Sequence, residues 1–237
     1  SIPASNRTGY GFNVNSSNTT LKNCTASRCK HGFSSARRDF TVRNLTFTDC
    51  TANDDPGMPS SANGVVLNGN FDLHYNVVGY VKYNDITINT NGLAFYFRAG
   101  RADVEINGGL INQLYAKGLI IPAETNLPRL TVKNVKMTLA SGSNVIRAVT
   151  TDTAITDYKY LTFENCSIED GSDATLLNTS GTSSPINVDT VVIKDCSFPD
   201  VTLLDMAGGT LDRFGLSGGC FKPPSSGMIL RMAGTAI

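Results

Sequence analysis

The chain of 237 residues carries 20 basic and 20 acidic side chains, so its formal net charge is zero. A neutral chain gives no electrostatic reason to expect nucleic acid as a partner, and no apolar run is long enough for membrane insertion. Charged residues make up only 17% of the sequence, while Asn, Thr, Ser and Gly abound, which is typical of all-β proteins that face carbohydrate.

One pattern recurs along the chain: two alternating apolar residues, then Asn, then another short alternating run. It reads TLKNCTA, TVRNLTFTD, YVKYNDITI, DVEINGGLI, LTVKNVKMT, LTFENCSIE and VVIKDCSFP. The predicted pivots are Asn23, Asn44, Asn84, Asn107, Asn134 and Asn165, followed by Asp195 and Ser217. Alternation on both sides of the pivot predicts β-strands, and a repeat of about 20 to 30 residues with several strands is typical of a solenoid.

The asparagine has a physical role in such a repeat. A sharp corner between two strands takes the backbone into the left-handed region, which Asn tolerates best among residues with a Cβ. Stacked corners also place the amides one strand spacing apart, where they can bond to each other. The sequence therefore predicts an asparagine ladder.

A further apolar strand precedes each pair, as in TGYGFNV, KHGFSS, TNGLAFYF and AKGLIIP, so we expect three short strands per coil and about eight or nine coils. Residues 1–237 would form one such domain, which starts in mid-pattern and therefore reads as a fragment of a longer chain. The gap between Asn44 and Asn84 is anomalous. Pro56 and Pro59 favour an inserted loop over residues 52–69.

The six cysteines show no spacing typical of a zinc site, and we expect no metal and no cofactor. Most of them fall in apolar strand patterns. We therefore interpret them as reduced, buried small hydrophobic residues rather than disulfides.

This repeat resembles the pectate-lyase-like superfamily, whose fold is a single-stranded right-handed parallel β-helix with an asparagine ladder. More narrowly, KHGFSS, FTVRNLTFTDCTA and NFDLHYNVVGYVKYNDITI resemble a group of phage tailspike and tail-adhesin proteins. In that group a His-Gly strand is followed by an Asp-x-His strand and then by a coil bearing Arg. The resemblance covers residues 10–110 and implies a virion tail protein, assembled in the host cytoplasm.

The asparagine alignment brings the same residues together. It places Asp72 opposite Gly32 and His74 opposite Ser34. Arg98 falls within one residue of the His74 level. Because neighbouring strands lie about 4.8 Å apart, the cluster would span about 10–15 Å. Its members are His31, Asp72, His74, Tyr96 and Arg98.

A histidine beside a carboxylate can act as a general base or acid near neutral pH, so the candidate catalytic residues are Asp72, His74 and His31. Arginines can hold the carboxylate of an acidic sugar. The candidate substrate-binding residues are Tyr96, Arg98, Arg101, Arg37 and Glu124. Alternatively, Asp72 and His74 bond only to each other and to the backbone, and close a corner of the solenoid.

The leading hypothesis is a tailspike-like protein that binds and depolymerises a bacterial surface polysaccharide by hydrolysis or β-elimination. Its expected partners are that polysaccharide, other virion tail proteins and two further copies in a homotrimer. Two alternatives stay open: a non-catalytic receptor-binding or structural tail component, and a cellular pectate-lyase-like enzyme.

Overall fold

The computed structural model describes residues 10–29, 31–35, 40–53, 71–73, 76–90, 93–98, 101–113, 118–123, 127–147, 156–179, 186–206, 209–225 and 229–232. These residues form an all-β structure, as the sequence predicts. None of their segments is a helix long and apolar enough to cross a membrane.

Twenty-three strands make up the described part of the chain. They are β1 (Tyr10–Val14), β2 (Thr19–Lys22), β3 (Thr25–Ser27), β4 (His31–Ser35), β5 (Val42–Thr48), β6 (Thr51–Asn53), β7 (Phe71–Leu73), β8 (Val77–Thr90), β9 (Phe95–Arg98), β10 (Arg101–Gln113), β11 (Gly118–Ala123), β12 (Leu127–Lys133), β13 (Lys136–Thr138), β14 (Asn144–Arg147), β15 (Thr156–Glu164), β16 (Ser167–Glu169), β17 (Ala174–Asn178), β18 (Ile186–Lys194), β19 (Ser197–Pro199), β20 (Val201–Met206), β21 (Thr210–Ser217), β22 (Cys220–Lys222) and β23 (Leu230–Met232).

The strands form two sheets in which neighbours are parallel. The nine-stranded sheet has the order β1-β4-β7-β9-β11-β14-β17-β20-β23. The 14-stranded sheet has two columns, one running from β2 to β21 and one from β3 to β22, which merge because the long strands β8 and β10 belong to both. Each strand therefore pairs with its counterpart one repeat later, an arrangement compatible with a β-helix.

Strand β10 shows why these sequences form strands that are buried on one side. Ala102, Val104 and Ile106 are buried, whereas Arg101 and Asp103 are exposed. This period of two matches the alternation of side chains across a β-strand.

A line of left-handed residues separates the two columns of the 14-stranded sheet. Its eight members have φ between 50° and 77° and are stacked in register: Asn23, Asp49, Asp85, Gly108, Asn134, Asn165, Asp195 and Gly218. Asn, Asp and Gly are the residues that tolerate this conformation at least cost. The corner predicted from the asparagine repeat therefore exists, but three residue types fill it.

The predicted pivots match this line only in part. Four of them, Asn23, Asn134, Asn165 and Asp195, lie in it. Three others, Asn84, Asn107 and Ser217, come one residue before it. The prediction for Asn44 is wrong, because Asn44 lies at a different left-handed corner, where it bonds to Asn18.

The predicted hydrogen bonds between asparagine side chains are confirmed: besides a single bond of 2.8 Å from Asn178 Nδ2 to Asn144 Oδ1, they form three short runs. In the first, Asn44 Nδ2 donates to Asn18 Oδ1 at 3.0 Å. The second joins Asn107, Asn134 and Asn165 through two bonds of 2.8 Å. The third was not predicted and joins Asn53, Asn89 and Asn112 through bonds of 2.7 and 2.8 Å.

Stacked aromatic rings fix the register of the nine-stranded sheet. Phe33 stacks on Phe12 at 5.1 Å and on Phe71 at 4.7 Å, and Phe71 stacks on Phe95 at 5.6 Å. Phe33, Phe71 and Phe95 are buried, so this register brings their rings together out of water.

All six cysteines are free, as expected, but they are not uniformly buried. Cys50, Cys166 and Cys196 are buried, Cys24 and Cys29 are half-buried, and Cys220 is exposed. Burial raises the pKa of the Cys50 thiol. The hydrogen bond between the thiols of Cys166 and Cys196, together with burial, raises the pKa of Cys166.

Residues 52 and 53 of the predicted inserted loop belong to β6, and residues 54–69 lie outside the described part of the chain.

Two glycines with positive φ, both outside the corner line, should differ in how well they tolerate substitution. A Cβ on Gly109, whose φ is 110°, would collide with the backbone carbonyl of Ile86. Gly142 also has a positive φ, 71°, but a Cβ there meets no atom within 4 Å. We expect Gly142→Ala to lower the free energy of unfolding by about 1–2 kcal/mol, the cost of the left-handed backbone alone. Gly109→Ala should cost about 3 kcal/mol or more, because backbone must also move. Urea denaturation of both variants measures the difference, and equal losses would show that the close approach is not a constraint.

Thiol labelling tests the burial of the cysteines. In the folded protein Cys220 should react with a thiol reagent well before Cys50 and Cys166, since reaction needs an accessible thiolate. Burial raises the pKa of the Cys50 thiol, and the hydrogen bond to Cys196 together with burial raises the pKa of the Cys166 thiol. Mass spectrometry of the labelled peptides over time gives the order, with urea-unfolded protein as the control for equal intrinsic reactivity. Equal rates for the three thiols in the folded state would contradict the structure.

Candidate functional site

Three neighbouring strands of the nine-stranded sheet carry the predicted site. Strand β4 begins at His31, β7 contains Asp72 at its centre, and β9 contains Tyr96 and ends at Arg98. Strand β7 pairs with β4 on one side and with β9 on the other. The sequence therefore identified the right three strands as neighbours.

The register of β4 against β7 differs from the predicted one by two residues, whereas the pairing of Leu73 with Phe97 agrees with the predicted level of Arg98. Phe71 pairs with Phe33, so that Asp72 lies opposite Ser34 instead of Gly32. The asparagine alignment was wrong here because it treated Asn44 and Asn84 as equivalent, whereas Asn84 pairs with Thr48. The stacked phenylalanines set the actual register.

The centre of the site is an interaction between His31 and Asp72. His31 Nε2 lies 3.2 Å from Asp72 Oδ2, and both side chains are 0% exposed. The imidazole carries a positive charge only when it is protonated. Burial of a charge costs much free energy unless a partner compensates it. Each of the two side chains therefore stabilises the other in its buried position.

An aromatic ring lies on the imidazole. Tyr10, on the neighbouring strand β1, stacks on His31 with 5.1 Å between ring centroids and 23° between planes. Tyr10 is 42% exposed, so its ring lies between the histidine and solvent. The sequence did not single out Tyr10. Aligning Phe12 with Phe33 would have found it, because that register places Tyr10 opposite His31.

On its other side, Asp72 has Tyr96 as its register partner. Tyr96 is half-buried, in contrast to the fully buried Asp72 and Ser34. Of these three side chains, Tyr96 therefore presents the most surface to a ligand.

The charge of Asp72 also acts on the core. Burial, and then the negative charge of Asp72, raise the pKa of Tyr83 well above its usual value. The Tyr83 phenol therefore stays neutral at physiological pH and cannot serve as a base. Tyr83 was not predicted to be near the site.

The other predicted site residues lie elsewhere or outside the described part of the chain. Arg101 begins β10 in the 14-stranded sheet, opposite Val78, and is exposed. The backbone of Arg98 pairs with Ala123. His74, Arg37 and Glu124 are not among the described residues.

This geometry limits the chemistry of the pair in the present conformation. Neither His31 nor Asp72 exposes surface to solvent, so the pair holds β4 against β7 and positions the residues beside it. A direct catalytic role for His31 and Asp72 stays a prediction. Among the described residues, no group of three or more His, Cys, Asp or Glu side chains could hold a metal ion.

Comparison of the sequence and the structure with known proteins adds no further constraint: no family model, no curated protein and no solved structure matches this chain.

The buried pair predicts strong coupling between its two members. His31→Gln and Asp72→Asn should each lower the free energy of unfolding by about 3 kcal/mol, because each leaves a buried polar partner without its compensating group. The double variant should lose clearly less than the sum. Chemical denaturation of the four proteins gives the coupling energy.

An exposed pair of similar length is the matched control. Lys194 Nζ lies 3.0 Å from Glu164 Oε1 with both side chains exposed by a third or more. The same cycle with Lys194→Met and Glu164→Gln should give a coupling below about 1 kcal/mol. Equal coupling energies in the two cycles would argue that burial of His31 and Asp72 does not strengthen their interaction.

Proposed function

We propose that this chain is a right-handed parallel β-helix of the phage tailspike type, which binds and depolymerises a bacterial surface polysaccharide. The observation that carries the proposal is the buried His31–Asp72 pair beside the half-buried Tyr96, on three adjacent parallel strands. The polysaccharide would be a capsule, an O-antigen or an exopolysaccharide. The working particle would be a homotrimer attached to other virion tail proteins.

The β-helix part of the proposal is supported by the order of the strands. The nine-stranded sheet and each of the two columns of the 14-stranded sheet add one strand per repeat in the order of the chain, and the line of left-handed corners recurs eight times in the described residues. A coil with three strands and one such corner accounts for both. Amide hydrogen bonds between successive coils add support.

In the proposed site the half-buried side chain would contact the sugar, and the buried pair would hold it in position. Tyr96 would stack against a sugar ring, since aromatic rings offer a large contact area with a polar hydroxyl. Asp72, held by His31, would position Tyr96 and Ser34. In a hydrolytic step the water oxygen bonds to the anomeric carbon as the glycosidic C–O bond breaks, a base takes a proton from the water, and an acid gives a proton to the leaving oxygen. In β-elimination a base removes the C5 proton of a uronate, and the C4–O bond breaks as a double bond forms.

The test is incubation of the purified full chain with a panel of bacterial surface polysaccharides. We expect binding in affinity electrophoresis and, for the cognate glycan, new reducing ends after hydrolysis or an ultraviolet-absorbing unsaturated uronate after elimination. Tyr96→Ala should weaken binding about tenfold or more, through the lost ring contact. Leu216→Ala, an exposed residue of β21, is the control and should bind like the wild type. A folded protein that binds no glycan of the panel would overturn the proposal.

A non-catalytic receptor-binding component is the second candidate. The observation that favours it is the complete burial of His31 and Asp72, because neither side chain can touch a substrate in this conformation. It predicts glycan binding without any product. It also predicts that Asp72→Asn protein, assayed below its unfolding temperature, binds glycan like the wild type.

A further inference from the structure

A row of side chains, separate from the site on the nine-stranded sheet, lies on the exposed face of the 14-stranded sheet. We call it the tyrosine–arginine row, and its members pair in register on successive strands from β8 to β21: Tyr80, Asp103, Arg129, Tyr160, Thr190 and Arg213. Tyr80 is 40% and Tyr160 is 43% exposed, and both belong to the small set of large apolar side chains exposed in the described residues. Strand spacing places the two tyrosines about 14 Å apart along the row.

Cations lie against both rings. The guanidinium carbon of Arg129 is 5.0 Å from the ring centroid of Tyr160, and Lys82 Nζ is 5.2 Å from that of Tyr80. Cation–π contacts of this length hold the rings in place while leaving the guanidinium N–H groups available. Each tyrosine is therefore a fixed aromatic surface with donors beside it.

The charges of the row differ from those of the surrounding sheet. Nearby lysines have carboxylate partners: Lys133 with Glu105, Lys194 with Glu164, and Lys136 with Glu169. In the described part of the chain, no carboxylate lies within ion-pair distance of Lys82, Arg129 or Arg213. The row thus contains two cations without an ion-pair partner among the described residues, Arg129 and Arg213, with Lys82 beside it and one carboxylate, Asp103, although such partners are common on the same sheet.

We propose that the tyrosine–arginine row binds a linear acidic oligosaccharide that lies across the strands. Sugar rings would pack their C–H faces on Tyr80 and Tyr160, and Arg129 would hold a uronate carboxylate with two parallel N–H bonds. Asp103, between Tyr80 and Arg129 in the row, would accept hydrogen bonds from sugar hydroxyls. It would repel the continuous phosphates of a nucleic acid, which makes a saccharide the better fit.

The inference rests on the proposed function for the identity of the ligand, but it places the ligand on a different sheet. The row lies on the 14-stranded sheet, whereas His31, Asp72 and Tyr96 lie on the nine-stranded sheet. A polymer held here would stay attached to the protein while the other face engages a different stretch of glycan. Two weak contacts of this kind raise the overall affinity through effective concentration.

The experiment measures binding of alginate oligomers, a linear polyuronate, and of the same oligomers after chemical reduction of their carboxyl groups. Isothermal titration calorimetry with the full chain should show binding of the acidic form and weaker binding of the reduced form. Arg129→Gln and Tyr160→Ala should each weaken binding about tenfold or more, by removing a charge-assisted contact or a stacking surface. Binding of the acidic form should also weaken at high salt.

Lys194→Ala is the matched control, because it removes an exposed cation of the same sheet that already has a carboxylate partner. It should change affinity less than about twofold. Unchanged thermal unfolding of the Arg129 and Tyr160 variants excludes misfolding, as expected for exposed side chains.

The outcomes separate the two proposals. Loss of binding in the row variants but not in Tyr96→Ala supports the row and removes support from the nine-stranded sheet. Loss in Tyr96→Ala alone overturns the inference and leaves the proposed function standing. If the row variants keep their alginate affinity but lower the oligomeric mass in light scattering, the row is an interface between copies and the inference is overturned. No binding of any alginate form by the wild type also overturns it, while a response to the glycan panel would still support the proposed function.

Discussion

A left-handed backbone conformation, repeated at the same corner from Asn23 to Gly218, determines how the strands of the larger sheet align. The strands on both sides of this turn can stay paired with those of the next repeat only if each corner sits directly on the previous one. That condition explains why Asn, Asp and Gly alternate at one position while the residues on either side vary. It also explains the close approach at Gly109, where the backbone of Ile86 occupies the place of a side chain.

The smaller sheet is aligned by a different interaction, and the candidate site depends on it. The stacked rings of Phe33, Phe71 and Phe95 set the pairing of β4, β7 and β9, and this pairing brings Asp72 within reach of His31. Packing in the core therefore decides which polar residues meet. Substitution of one ring in that stack would change the position of Asp72 relative to His31 although neither residue is mutated, since a shift of register moves each side chain relative to its neighbours.

The sequence was sufficient for the all-β class, the parallel strands and the hydrogen bonds between asparagine side chains. The prediction of the corner positions failed because it took asparagine as the marker of each corner, whereas Asn, Asp and Gly all tolerate the left-handed conformation. Asp85 and Gly108 fill the corner beside Asn84 and Asn107, so the pattern drew attention to the wrong member of each pair. The burial of His31 and Asp72 had no local signal either, because it depends on packing between segments that are distant in the chain.

The mixed composition of the corner line has a consequence for chemical ageing. Deamidation converts asparagine to aspartate, and aspartate already occupies this line at Asp49, Asp85 and Asp195 with the same backbone conformation. The turn itself would survive such a change, but the Nδ2 donor would not. In the run from Asn107 to Asn165, loss of the central amide of Asn134 would replace the donor to Asn107 by a carboxylate. A long-lived copy of this protein would therefore lose attraction between neighbouring strands of the sheet before its backbone changes.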